Sequence, residues 1–104
     1  MKIELTLSNL ATWHAAHGKF GVDNELGMAC EELSETITAV QHLRRARRGA
    51  ADRFIEELAD GLVCVLQIVE SDGLWDELHE AMVASFQKLD DKLLADNLNA
   101  GHDT

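Results

Sequence analysis

Residues 52–70 read Asp52-Arg53-Phe54-Ile55-Glu56-Glu57-Leu58-Ala59-Asp60-Gly61-Leu62-Val63-Cys64-Val65-Leu66-Gln67-Ile68-Val69-Glu70. After Asp60 the segment is apolar nearly all the way round, through Leu62, Val63, Val65, Leu66, Ile68 and Val69. With Phe54, Ile55 and Leu58 ahead of them, these residues predict a helix over 52–70, capped near Asp52, that is the most buried element of the chain. Such a helix is apolar on more sides than one thin bundle covers, so one side is expected to meet another subunit. Ser71-Asp72-Gly73 reads as the turn that follows it.

Working outward, a second strong pattern precedes it. Leu26, Cys30, Leu33, Ile37, Val40 and Leu43 recur every three or four residues, which predicts a helix over 24–47 with that stripe toward the core and Gly49 beyond its end. Nearer the N-terminus a short helix is expected at 9–17, capped by Ser8 and stopped by Gly18, with a loop around Phe20-Gly21. A last helix is expected at 74–94, striped by Leu78, Met82, Phe86, Leu89 and Leu93, and the polar tail 97–104 is expected to fray. Proline is absent and no strand, repeat or low-complexity segment stands out. The expectation is an all-α, antiparallel helical bundle of about four helices in a single domain over 1–104, oligomeric because so small a bundle is only modestly stable alone.

Charge narrows the function. The net charge is −10, which disfavours nucleic acid as a partner, because DNA and RNA are polyanions. Five of the nine cationic residues, Arg44, Arg45, Arg47, Arg48 and Arg53, are crowded into ten positions, so the remaining surface is more acidic than the average. No apolar run reaches the roughly 20 residues that span a bilayer. Met1-Lys2-Ile3-Glu4 carries no signal-peptide pattern, and a cytoplasmic protein without a membrane partner is expected. Cys30 and Cys64 lie inside expected helices and read as small core residues of a reducing compartment.

Within the two strongest helices stand four carboxylates as two i, i+3 pairs, Glu32 with Glu35 and Glu57 with Asp60. Residues three apart share a helix face, so each pair projects in one direction. On antiparallel neighbours all four can converge, where they repel unless a cation lies between them. Oxygen donors, one or two per helix, suit Mg²⁺ or Mn²⁺ together with phosphate groups. Either pair alone would be an ordinary solvated face; two pairs on adjacent, strongly apolar helices are harder to assign to solvent.

The pattern Glu31-Glu32-x-x-Glu35, a spacer, then Glu57-x-x-Asp60 resembles the signature of the MazG-like all-α nucleoside triphosphate pyrophosphatases. Trp13, the apolar run after Asp60, the turn at Asp72-Gly73 and Lys88 extend the likeness over roughly residues 8–97. The resemblance implies that Glu32, Glu35, Glu57 and Asp60 hold Mg²⁺ or Mn²⁺. Glu31 would hold a second metal or the attacking water, and Lys88 would reach a phosphate. It implies cleavage of the α–β phosphoanhydride of a nucleoside triphosphate to monophosphate and pyrophosphate by a homodimer or homotetramer, in the control of nucleotide pools.

Beside that motif, Trp13, His14 and His17 are candidates for a base pocket, since an aromatic ring stacks on a base and an imidazole can bond its edge. Core packing for Trp13 and solvent exposure for the histidines are their ordinary readings. The arginine cluster has an ordinary role too, as cations near a helix C-terminus, and its distance along the chain from Glu32 favours that role. A di-iron carboxylate bundle requires Glu-x-x-His on two helices, which this chain lacks. The alternative of another class is a non-catalytic helical oligomeric interaction module.

Overall fold

A computed structural model describes residues 3–102 and is all-α, with α1 at Leu7–Arg44, α2 at Ala50–Asp72, α3 at Trp75–His102, and no strand among the described residues. About four helices were expected and three form. The segments expected at 9–17 and 24–47 merge into α1 because helical structure runs through Gly18 and leaves helical geometry at one residue, Gly21 (φ 81°, ψ 166°). That region of backbone space is open essentially to glycine alone. The start of α1 is set by Thr6 rather than Ser8: Thr6 Oγ1 accepts from the Asn9 amide at 3.1 Å, and the Asn9 side chain accepts from the Thr6 amide at 3.0 Å. This reciprocal cap satisfies two amides that the helix cannot. At its other end α1 stops at Arg44, and the turn before α2 contains left-handed Ala46 (φ 51°) and Gly49 (φ 74°). α2 closes on left-handed Gly73, and α3 is helical to His102, through most of the tail expected to fray; residues 103 and 104 lie outside the described residues.

By contacts the chain divides into two compact units, one through Gly73 and one from Leu74 onward that contains α3. In the first unit the register follows from side-chain bonds. Glu25 meets Ser71, 46 residues away, whereas Thr36 meets Glu57, only 21 away, so the main part of α1 runs antiparallel to α2. Trp13 meets Gln67 and His17 meets Ser71, both at a separation of 54, so the part before Gly21 runs the same way as α2. The direction of α1 therefore reverses at Gly21.

A carboxylate holds that reversal. Glu25 is buried, with one oxygen on His17 Nδ1 and the other accepting from Ser71 Oγ at 2.9 Å. Both oxygens of the buried carboxyl group are thus engaged, as burial of a polar group requires.

The face that α1 turns to α2 differs from the expected one. Glu25, Ala29 and Ala39 are buried and Glu32 and Thr36 are half-buried, whereas Cys30, Leu33, Ile37 and Val40 of the expected core stripe are exposed. On α2 the matching line is Ala50, Phe54, Glu57, Gly61 and Cys64. Small residues let the two backbones approach closely. A Cβ added to Gly61 would lie 2.8 Å from Thr36 Oγ1, and that hydroxyl bonds the carbonyls of both Glu32 (2.8 Å) and Glu57 (2.9 Å). The larger apolar residues are left one step round the helix, facing outward.

Candidate functional site

This close crossing fixes the carboxylates. Thr36 ties the turn of α1 that carries Glu32 and Glu35 to the turn of α2 that carries Glu57. One carboxylate oxygen from each of Glu32, Glu35 and Glu57 lies within 4.8 Å of the others. Although Glu32 and Glu57 are half-buried as residues, the Oε2 atom of each is covered and accepts no hydrogen bond among the described residues. A buried acceptor without a donor loses its hydration uncompensated, and such groups in native proteins call for a specific explanation. Glu25, two turns earlier on the same face of α1, has both oxygens bonded and needs none.

Crowding shows in the titration of the group. Burial, then the charges of Asp60, Glu57 and Glu31, hold Glu32 above the ordinary glutamate range. Glu35 is also raised, first by a hydrogen bond shared with Glu57 and then by the charges of Glu32 and Glu57, with desolvation and Glu31 adding less. The Cys64 thiol is pushed up by burial and by Glu32 and Asp60. The field of the cluster therefore extends beyond the three converging residues, and it includes Asp60 and Glu31.

Of the expected metal residues, Glu32, Glu35 and Glu57 converge, while Asp60 is exposed and outside the close set but near enough to act on Glu32. Glu31 is exposed. Trp13 is only 6 % exposed, so its ring is packed in the first unit, where its carbonyl accepts from Gln67 Nε2 at 3.5 Å. His14 is exposed and stands 4.0 Å from Glu70, and His17 is held by Glu25. Lys88 is an exposed residue of α3 in the second unit.

The turn end of the hairpin holds what sequence distance concealed. A cavity of about 440 Å³ is lined by Glu35 and Glu57 together with His42, Arg47, Arg48 and Arg53. Arg53 Nε stands 3.4 Å from Glu57 Oε1, joining the basic and acidic ends. Arg53 comes back toward Glu35 because α2 retraces α1, and Arg47 and Arg48 line the same cavity from the turn between the two helices. Chain distance likewise hides the pairing of Thr36 with Gly61. A glycine in a helix interior, one turn after Glu57, is the signal that marks a close approach.

Oxygen donors only, two covered and unbonded carboxylate oxygens, and a third carboxylate within reach make a donor set that fits a hard divalent cation. Among the described residues no helix is long and apolar enough to cross a membrane. Compared with protein-family models, curated proteins and solved structures, the chain matches none.

Proposed function

We propose that the protein is a metal-dependent nucleoside triphosphate pyrophosphohydrolase of the MazG-like kind. The observation that carries this reading is the convergence of Glu32, Glu35 and Glu57 from two helices, with the Oε2 atoms of Glu32 and Glu57 covered and unbonded among the described residues. The Glu-Glu-x-x-Glu and Glu-x-x-Asp spacing supports it independently.

In this reading Glu32, Glu35 and Glu57 would hold Mg²⁺ or Mn²⁺, with Asp60, exposed and one turn further along α2, the fourth donor that the motif implies. Bound there, the cation supplies charge neutralisation for the triphosphate and electrostatic activation of water. The chain does the rest. Thr36 keeps the carboxylates in register through the two carbonyls it bonds, which is the preorganisation that electrostatic catalysis needs. Glu31 orients water or a second metal. The water oxygen bonds to the α-phosphorus, the bond from that phosphorus to the bridging oxygen breaks, and pyrophosphate leaves with that oxygen and the bonding pair. The water's protons pass to carboxylate and solvent. Of the residues considered for the base, His14 is the exposed one, whereas Trp13 is packed and His17 is held by Glu25. The working form is a homodimer or homotetramer.

The test is a hydrolysis panel: each ribo- and deoxynucleoside triphosphate with Mg²⁺, products resolved by chromatography. Equimolar monophosphate and pyrophosphate, lost in Glu35→Ala, is the expected result. Diphosphate and phosphate would move the cleavage site. Complete inertness, together with a melting temperature indifferent to Mg²⁺ and Mn²⁺, would leave the non-catalytic interaction module, which the broad exposed apolar surface otherwise favours.

A further inference from the structure

We propose that the cavity at the turn between α1 and α2 seats the two terminal phosphates of the substrate and holds them as pyrophosphate after cleavage; this rests on the pyrophosphohydrolase reading. The cavity has two ends of opposite sign. At one, Glu35 and Glu57 belong to the carboxylate cluster; at the other stand Arg47 and Arg48. Arg53 lies between, on Glu57. An anion chain bridged to a cation at the acidic end would run into the guanidiniums at the other. The volume, about 440 Å³, falls within the roughly 300–1,000 Å³ of small-molecule sites.

Three further observations favour phosphate over a general surface role for these arginines. Arg47 and Arg48 form no ion pair among the described residues, although the chain carries nineteen acids. Guanidinium forks match phosphate oxygens in pairs, which lysine does not. α2 also begins at the cavity on Gly49, with no side-chain cap, so the positive end of its dipole adds to the same pole. The arrangement separates labour. The acids act on the α-phosphate, and the arginines select for two further phosphates and steady the leaving group. Monophosphates, which lack the part the arginines hold, would bind weakly, and pyrophosphate would compete with substrate.

The experiment is calorimetric titration of inorganic pyrophosphate at fixed Mg²⁺ into wild type, Arg47→Ala/Arg48→Ala, and Arg45→Ala. Arg45 belongs to the same cluster but does not line the cavity. The expected result is saturable binding to wild type, weakened roughly tenfold or more in the double variant and less than about twofold in Arg45→Ala. An Arg47→Lys/Arg48→Lys variant keeps the charge without the forks and should fall between. Equal weakening by Arg45→Ala, or no saturable binding to wild type, overturns the proposal. Hydrolysis in the same proteins separates the two readings. Turnover with an unchanged KM in the double variant removes the phosphate seat and leaves the hydrolase. Arginine-dependent pyrophosphate binding without turnover of any nucleotide supports the seat and removes the hydrolase.

Discussion

Glu32 is held above the usual glutamate range first by burial and then by the charges of Asp60, Glu57 and Glu31, and Glu35 first by its hydrogen bond with Glu57 and then by the charges of Glu32 and Glu57; the sign of the consequence follows by linkage. A group whose pKa is higher in the folded state binds its proton more tightly there. Its contribution is therefore fully present at low pH and is lost as pH rises through the raised value. Without divalent metal, the difference in stability between wild type and Glu35→Gln should widen, in favour of the variant, as pH rises from about 4 toward neutrality, because glutamine mimics the protonated acid. Urea denaturation of both proteins across that range checks this; a wild type that gains on the variant as pH rises would refute the crowding. Under the proposed function, in which a cation would bind the ionised cluster of wild type more tightly than the variant, the order should invert near neutrality with Mg²⁺. A second residue-scale outcome concerns Gly61. Helix propensity alone favours Gly61→Ala by about 1 kcal/mol. The added methyl would instead displace Thr36 Oγ1 from two carbonyls, and the net effect should be destabilising by about 1–2 kcal/mol. In a Thr36→Ala background the same change should become favourable, and a double-mutant cycle reads the difference directly.

At the scale of the element, α1 shows where periodicity informs and where it misleads. The spacing of Leu26, Leu33, Ile37 and Val40 correctly marks a helix, but it does not say which neighbour the stripe meets. Within the first unit α1 offers α2 its alanines, Thr36 and Glu32 instead, because small side chains permit the close crossing and large ones do not. Three of the four paired acids were legible as a convergent set from i, i+3 spacing; the arginines beside them were not, since chain distance hides what an antiparallel return brings together. The break in α1 was legible as a glycine-rich interval, but not its reduction to Gly21, which depends on a tertiary bond. Glu25 supplies that bond from inside the interface. Gly21→Ala should cost about 1–3 kcal/mol through its backbone alone. Glu25→Ala should cost about 2–4 kcal/mol by leaving His17 and Ser71 without their shared acceptor. Both are measured by thermal or urea unfolding. If the two losses simply add, the glycine and the carboxylate serve separate ends; a combined loss well below the sum shows that they secure one reversal.

For the whole molecule, the balance of covered and uncovered apolar surface decides the state in which it works. Among the described residues only Trp13, Ala29, Ala39 and Ala50 are buried apolar residues, and Leu26, Leu33, Ile37 and Val40 form an exposed line along α1. A helical hairpin with so small an interior sits near the margin at which burial offsets chain entropy. A second copy, as the proposed homodimer or homotetramer, would cover the line and supply the missing core. The melting temperature should then rise with protein concentration, as it must when folding and association are coupled. Ile37, 63 % exposed, tests this without disturbing the hairpin. Ile37→Glu should raise the dissociation constant roughly a hundredfold or more, since it would place an unpaired charge in an apolar interface. Leu7→Glu, at the more exposed start of α1 (85 %), should change it little. Sedimentation velocity over a range of concentrations distinguishes these outcomes, and a wild type that stays monomeric throughout, with a concentration-independent melt, would refute them. The carboxylates are set by contacts inside one hairpin, through Thr36 and Gly61. If assembly stabilises that hairpin, Mg²⁺ affinity in Ile37→Glu should weaken at low protein concentration and recover as concentration rises, which would link the proposed metal site to the proposed oligomer by mass action rather than by a shared ligand.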